Sequence, residues 1–294
     1  MAKDMLIGCV PITWPRGTPL EQVLPEIAQA GYEGAPAYPQ GDRTAKETLE
    51  LYAHYGLKPA PGYLGASFWI PEQEEQILER ARRLGAFAAE VGCTELYVAP
   101  GGFDQYITTR GKTRSQIAGH VLPEDAMPEA EYVQFAKTLN KVGQITLEHG
   151  VKSCFHNHVS GTIETREEID HLFSLLDRSL VFQGPDIGHL AWAGADVLQF
   201  CRDYGDSIVS LHVKDISPTV RQEGVEKDWD YRTFAEHGIF VELGEGMVDL
   251  PAMFGILRGA GYKGWVLVET DRTQKPTPLE SAIISRNYLK SIGL

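Results

Sequence analysis

The sequence predicts a single-domain α/β protein with the (β/α)8 barrel (TIM barrel) fold. Short apolar runs, typical of buried parallel strands, alternate with longer amphipathic runs, about eight of each along the 294 residues. That length is ordinary for a barrel that forms one domain. An open doubly wound sheet usually carries a glycine-rich phosphate loop after its first strand, but here the turn reads Pro11-Ile-Thr-Trp-Pro15. A barrel covering residues 1–294 is therefore predicted.

Eight strand-and-helix units can be assigned in chain order. Glycines such as Gly31 and Gly56 follow predicted helices, as expected for helix C-termini. Thr165 and Glu168 have the spacing of a capping box and predict the start of the fifth helix. The predicted strands are 6–10, 32–37, 57–64, 94–99, 151–155, 180–186, 208–213 and 265–269. The other predicted helices are 19–30, 44–55, 71–91, 129–149, 195–204, 250–260 and 278–292.

Two connections, 100–128 and 215–248, are much longer than the rest. Both follow predicted strands, the fourth and the seventh, so we expect them on the face where barrel enzymes have their active sites. Both contain aromatic and charged residues, namely Phe103, Tyr106 and Arg110 in the first and Trp229, Tyr231 and Arg232 in the second. We expect these loops to serve as lids or as a subunit contact.

Composition excludes some classes of function. The net charge of −13 would repel a phosphate backbone, so no nucleic-acid partner is expected. No span of about 20 apolar residues is present, so no membrane segment is expected. The four cysteines are scattered and predict free thiols in a reducing cytoplasm: Cys9, Cys93, Cys154 and Cys201.

Potential metal ligands recur where the last four predicted strands end. They are His156, His158 and Glu164 near the fifth strand, Asp186 and His189 at the sixth, His212, Lys214 and Asp215 at the seventh, and Glu269 and Asp271 at the eighth. Taken singly, each has a structural explanation, such as an N-cap role for Asp186 or an ion pair between Glu269 and Lys214. Together, buried charges at one barrel mouth need a partner, and mixed carboxylate and imidazole donors suit Mn²⁺ first, with Mg²⁺, Co²⁺ or Zn²⁺ as alternatives.

Three segments resemble the xylose isomerase-like barrels, the superfamily of sugar phosphate isomerases and epimerases. They are Asp186-Ile-Gly-His-Leu-Ala191, Ser210-Leu-His-Val-Lys-Asp215 and Val266-Leu-Val-Glu-Thr270. Within that superfamily, the segment from His156 to Glu164 and the opening Pro11-Ile-Thr-Trp14 are most similar to inosose dehydratases. The resemblance implies one divalent metal held by a Glu, an Asp, a His and a second Glu from strands five to eight.

Asp186, His212 and Glu269 match three of these family ligands residue by residue. The fifth-strand ligand departs from the family pattern, because simple epimerases have a glutamate where this chain has His156. Glu164 is the nearest carboxylate and is the predicted fourth ligand, with His156 as the alternative. Many relatives also have a glutamate near the end of strand two, where this chain reads Ala35-Pro-Ala-Tyr38.

Such a site implies proton abstraction next to the carbonyl of an unphosphorylated keto-polyol or keto-sugar. His156 or His158 is the expected base, and Lys214 and His189 are expected to orient hydroxyl groups or protonate the leaving group. Dehydration of the inosose dehydratase kind is the leading prediction. Reversible epimerisation or isomerisation, cleavage of oxidised glycosides and a non-catalytic sugar-binding barrel are the alternatives. A small-molecule substrate and a homo-oligomer are expected.

Overall fold

A computed structural model describes residues 5–294, so the first four residues of the predicted domain lie outside it. The fold is the predicted (β/α)8 barrel, formed by a single domain. Its eight strands are, in chain order, Leu6–Cys9, Gly34–Pro36, a third strand in two segments (Lys58–Ala60 and Tyr63–Ala66), Glu95–Pro100, Lys152–Phe155, Val181–Gln183, Leu211–Val213 and Trp265–Val268.

The barrel strands are parallel, and each pairs with its neighbours around the ring. The first strand pairs with the second and with the eighth, where Leu6 lies opposite Trp265. The fourth, fifth and sixth strands form a second parallel set with the second segment of the third. Bridges from Gln183 to Ile208 and from Asp186 to His212 close the gap between the sixth and seventh strands. Chain order thus places the ends of strands five to eight side by side.

The third strand differs from the continuous strand predicted for 57–64. Its first segment pairs with the second strand, and its second segment pairs with the fourth. Pro61 and Gly62 separate the two segments, and a proline has no N–H to donate to a ladder. The carbonyl of Gly62 instead accepts a hydrogen bond from the N–H of Tyr97.

All eight predicted helices are present, with ends within a few residues of the prediction. They are Leu20–Ala30, Ala45–His54, Glu74–Glu90, Glu129–Glu148, Arg166–Leu175, Val197–Tyr204, Leu250–Gly259 and Pro278–Ser291. The Thr165 capping box is formed as predicted. Among the residues that the structure describes, three further α-helices were not predicted, Ile187–Trp192 after the sixth strand and Pro218–Glu226 and Tyr231–Glu236 in the loop after the seventh. Within residues 5–294, no helix is long and apolar enough to cross a membrane.

Three apolar clusters hold these elements together. The largest lies between the strands and the surrounding helices. A small cluster that includes Tyr97, Cys154 and Leu267 fills the barrel interior. A third cluster joins the helix Ile187–Trp192 to the loop after the seventh strand. It includes Trp192, Phe234 and Phe240. The four cysteines are free and buried, as the sequence predicts.

Candidate active site

Strands five to eight deliver polar side chains to a cavity of about 280 Å³ at their carboxyl ends. His156, His158, His212 and Glu269 line this cavity, together with tyrosines, prolines and aliphatic residues from the first four strands. This is the face at which barrel enzymes bind their substrates. The grouping of imidazoles and a carboxylate on one side of the cavity makes it the candidate active site.

His156, Asp186 and His212 present donor atoms that all lie within 4.8 Å of one another. All three side chains are buried. Among residues 5–294, no hydrogen-bond partner is found for His156 Nδ1, for Asp186 Oδ2 or for either ring nitrogen of His212. Asp186 Oδ2 does have Lys214 Nζ as an ion-pair partner at 3.2 Å, whereas His156 Nδ1 and His212 Nε2 are buried without one in the described part of the chain. Buried polar atoms are nearly always satisfied, so these two imidazole nitrogens beside a carboxylate indicate a missing common partner. The residues therefore fit a divalent cation, whose ligands are neutral imidazoles and carboxylates.

Glu269 and Lys214 complete this part of the site. Glu269 Oε2 lies 2.7 Å from His212 Nδ1, and Glu269 Oε1 lies 3.2 Å from Lys214 Nζ. The Lys214 ammonium also lies 3.2 Å from Asp186 Oδ2 and 2.9 Å from Asp271 Oδ1. Burial lowers the pKa of Lys214, but the attraction of these three carboxylates outweighs burial and raises its pKa well above the usual value. Burial raises the pKa of Asp186 and raises that of Asp271 to about 7, and a divalent cation nearby would favour their ionised forms.

Lys214 packs closely against the backbone of Gly188, which lies two residues after Asp186. A Cβ atom at position 188 would lie 2.5 Å from the Cβ of Lys214. Asp186 Oδ1 accepts a hydrogen bond from the N–H of His189 at 2.9 Å, so this carboxylate caps the helix Ile187–Trp192. The N-cap explanation for Asp186 is thus correct for one oxygen, while the other faces the cluster.

His158, His189 and Asp271 form a second group whose donor atoms lie within 4.8 Å of one another. The rings of His158 and His189 are 3.8 Å apart between centroids. His158 Nδ1 contacts the carbonyl oxygen of Val159 at 2.5 Å, which places the ring proton on Nδ1 and leaves Nε2 as an acceptor. His189 Nε2 lies 3.0 Å from Lys214 Nζ, so it accepts from the ammonium. Burial lowers the pKa of His158 to about 4, which keeps the ring neutral at neutral pH.

Glu164, the predicted fifth-strand ligand, has other partners. Its two oxygens accept hydrogen bonds from the N–H groups of Gly119, at 2.8 Å, and Ser160, at 2.7 Å. Burial raises the pKa of Glu164 to about 7, against the lowering effects of Arg114 and the two amides. The structure therefore brings His156, the alternative, to Asp186 and His212, while Glu164 joins the loop after the fourth strand to the loop after the fifth.

Arg114 makes a second connection between those two loops. Its guanidinium donates two parallel hydrogen bonds, of 2.9 and 2.8 Å, to the carboxylate of Glu168. It also donates to the carbonyl of Gly161 at 2.8 Å. The arginine is fully buried, so this bidentate pair is shielded from water. The connection keeps the 100–128 loop against the segment that carries His156 and His158.

Asp215 organises the loop after the seventh strand. Its carboxylate accepts hydrogen bonds of 3.0, 3.0 and 3.1 Å from the N–H groups of Gly244, Gly246 and Val248. Asp215 had been a candidate ligand at the strand end, but the structure points it to this turn. In the same loop, the Tyr231 hydroxyl donates to Asp271 Oδ2 at 3.2 Å.

Sequence reasoning missed the aromatic residues of the cavity. Tyr38, Tyr63 and Tyr97 all line it. The Tyr97 ring lies 4.2 Å from that of His212, and the Tyr63 ring lies 5.2 Å from that of His156. A tyrosine inside each of two predicted strands was the available signal, since barrel interiors favour aliphatic side chains. These rings fix the orientation of two imidazoles.

The fold and this arrangement of strand-end residues define an enzyme-bearing class of barrel. A model of the xylose isomerase-like TIM barrel family matches residues 24–292. That match covers most of the sequence, and the chain belongs to this family.

Individual relatives agree with the family. The chain is 29% identical over 305 residues to an inosose dehydratase of Clostridium perfringens, which covers 98% of this chain and 97% of the relative. A solved L-ribulose 3-epimerase shares the fold with a TM-score of 0.73 at 16% identity, covering 98% of this chain and 94% of its own. A zinc-bound IolI protein has a TM-score of 0.72 at 18% identity, covering 98% of both chains. The chain is an enzyme of the sugar isomerase, epimerase or lyase kind.

Proposed function

We propose that this protein is a divalent-metal-dependent lyase that dehydrates a keto-polyol or keto-sugar in the cytoplasm. The observation that carries this proposal is the set of buried donor atoms on His156, Asp186 and His212, within 4.8 Å of one another beside a sugar-sized cavity. The inosose dehydratase similarity over nearly the whole chain supports the reaction class.

His156, Asp186, His212 and Glu269 are the residues that would hold the cation. Two imidazoles and two carboxylates suit Mn²⁺, Co²⁺ or Zn²⁺ better than Mg²⁺, which favours oxygen ligands alone. Mn²⁺ is the cation we propose first, and the zinc-bound IolI structure makes Zn²⁺ the main alternative. When bound, the cation would act as a Lewis acid that polarises the substrate carbonyl and so acidifies the neighbouring C–H.

His158 is the proposed base. Its ring lines the cavity, and its Nδ1 proton is held by the carbonyl of Val159, so the Nε2 lone pair is available for the proton next to the carbonyl. The proton that His158 takes leaves with the β-hydroxyl group, and the products are water and an unsaturated ketone. His156 would serve as a ligand instead of a base, because it lies with Asp186 and His212.

Lys214 and His189 are proposed to position this machinery. The Lys214 ammonium is within 3.2 Å of Asp186, Glu269, Asp271 and His189 Nε2. It thereby fixes the carboxylates that face the cation and holds the His189 ring against that of His158. The loops 100–128 and 215–248 are proposed to cover this face and exclude water, through the contacts of Arg114 and Tyr231 described above.

The test is to incubate the Mn²⁺- or Zn²⁺-loaded enzyme with keto-inositols and keto-sugars in heavy water. Dehydration gives an enone that absorbs in the ultraviolet, and proton exchange gives deuterium next to the carbonyl. Absence of both across the panel contradicts the proposal. Deuterium uptake with inverted stereochemistry and no enone would favour the second candidate, a sugar epimerase or isomerase, for which the fold shared with L-ribulose 3-epimerase is the supporting observation.

A further inference from the structure

A second cavity adjoins the candidate active site. It has a volume of about 380 Å³ and lies between the loop after the first strand, residues 11–20, and the loop after the second, residues 36–40. Ile12, Pro36 and Tyr38 line both this cavity and the catalytic one. The two spaces therefore lie next to each other, with these three residues shared between their walls.

The polar groups of this second cavity are few and mostly uncharged. They belong to Arg16, Thr18, Tyr38 and Gln40. Among its lining residues, all of which are described, Arg16 is the only charged one, although the chain as a whole carries a net charge of −13. Guanidinium, amide and hydroxyl groups are suitable hydrogen-bonding partners for neutral sugar hydroxyls. The lining does not offer the paired charges expected around an ionic ligand.

The remaining wall of the cavity is mostly apolar. Trp14 is 7% exposed, and its indole N–H donates to Glu26 Oε2 at 2.7 Å, which fixes the ring. Pro11, Pro15, Leu20 and Val23 contribute further apolar surface. Mostly apolar walls with a few convergent polar groups are typical of small-molecule sites. Aromatic and aliphatic surface of this kind packs against the C–H faces of a sugar ring, while the polar groups reach its hydroxyls.

We propose that this second cavity is a subsite for the second ring of a keto-sugar glycoside. The proposal rests on the proposed function and narrows its substrate class from a single-ring keto-polyol to a two-ring glycoside. Both cavities lie near the lower end of the roughly 300–1,000 Å³ range of ligand sites, so each suits one sugar ring. The oxidised ring would lie beside His158 and His212, and the second ring would lie against Trp14, with Arg16 and Gln40 bonded to its hydroxyls.

Binding provides the test independently of turnover. The affinities of the metal-loaded protein for methyl β-D-glucoside, with one ring, and cellobiose, with two, would be measured by titration calorimetry. We expect cellobiose to bind at least about tenfold more tightly, which corresponds to about 1.4 kcal/mol. Arg16→Ala and Gln40→Ala should each reduce this preference to about threefold or less. Arg82→Ala, at an exposed helical site, is the matched control and should keep the preference.

In a second experiment, kcat/KM is measured for the C3-oxidised forms of both sugars. The ratio of the two kcat/KM values should follow the binding preference. Equal affinities for the two sugars, binding of neither, or an unchanged preference in both variants would overturn the subsite. A cellobiose preference that depends on Arg16 and Gln40, in an enzyme that turns over no keto-sugar or keto-inositol, would support the subsite and contradict the proposed lyase activity.

Discussion

Glu269 Oε2 lies 2.7 Å from His212 Nδ1, so the carboxylate and the imidazole are in direct contact. Two ligands that share one cation at roughly 2.0–2.2 Å lie about 3 Å apart without pointing at each other. The spacing of this pair is compatible with the proposed role of both residues as ligands of one cation. His156 and Asp186 each have a donor atom within 4.8 Å of one on His212.

Metal binding is the first prediction. Asp186→Asn keeps an oxygen for the N-cap hydrogen bond to His189 but removes the charge, and His212→Ala removes the central imidazole. We expect each variant to bind Mn²⁺ or Zn²⁺ at least about tenfold more weakly, because both remove a proposed ligand. Metal content after dialysis and direct titration measure the change. His171→Ala, which removes an imidazole from the outer surface, is the control, and equal metal content in all three variants would contradict the assignment.

The second prediction separates the two histidines of the fifth strand. His158→Gln should lower kcat by about 10²- to 10⁴-fold with metal content unchanged, because it removes only the proposed base. His156→Ala should lower metal affinity as well as activity, because His156 lies with the proposed ligands. Steady-state rates and metal analysis of the same preparations distinguish the roles. If His158→Gln lost metal and His156→Ala kept its full metal content, His158 would be the ligand and His156 the base.

The strand-end residues could be predicted from the sequence because parallel strands of a barrel all end on the same face, so that Asp186, His212 and Glu269 had to lie together. The sequence alone could not decide whether His156 or Glu164 lies beside these residues. The position of the Glu164 carboxylate depends on Gly119, more than 40 positions away in the 100–128 loop, because the N–H of Gly119 donates a hydrogen bond to it. The buried Arg114 was equally invisible, because no periodic pattern places a residue within a long irregular loop.

The third prediction concerns the buried pair of Arg114 and Glu168. Glu168→Gln removes the carboxylate that accepts both hydrogen bonds from Arg114 and leaves the guanidinium with the electrostatic attraction of Glu164. We expect a loss of about 3 kcal/mol of unfolding free energy, the lower end of the cost of breaking a buried ion pair. Urea unfolding followed by circular dichroism measures the loss. Glu167→Gln changes an exposed residue in the same helical turn and should stay within about 0.5 kcal/mol of the wild type. Similar stabilities for the two variants would show that the pair does not hold the loops together.

The fourth prediction concerns the turn held by Asp215. Asp215→Asn replaces one acceptor oxygen with an amide N–H₂ group that faces backbone donors, so we expect a loss of about 1–3 kcal/mol. The loss should be local, and amide exchange of the peptide 243–248 should become faster while the barrel strands keep their protection. Asp206→Asn, at an exposed position, is the control. Unchanged exchange in 243–248 would mean that the turn is stable without the carboxylate.

The fifth prediction is a pH dependence of stability that arises from Glu164. Burial raises the pKa of this carboxyl group from 4.5 to about 7 in the folded protein. Between these values the folded state binds more protons than the unfolded state, so Glu164 lowers stability as the pH rises. Its contribution is absent below about pH 4.5 and is fully unfavourable above about pH 7, where it reaches about 3 kcal/mol.

Glu164→Gln removes this titration, since the amide is neutral throughout. The variant should therefore gain stability relative to the wild type as the pH is raised from 5 to 8, whatever constant difference the substitution introduces. Urea unfolding at several pH values measures the difference in unfolding free energy between the variant and the wild type. For Glu167→Gln, which replaces an exposed glutamate, this difference should be the same at every pH. A Glu164→Gln curve parallel to that of the wild type would mean that the amides of Gly119 and Ser160 offset the cost of burial and keep the carboxylate ionised at all these pH values.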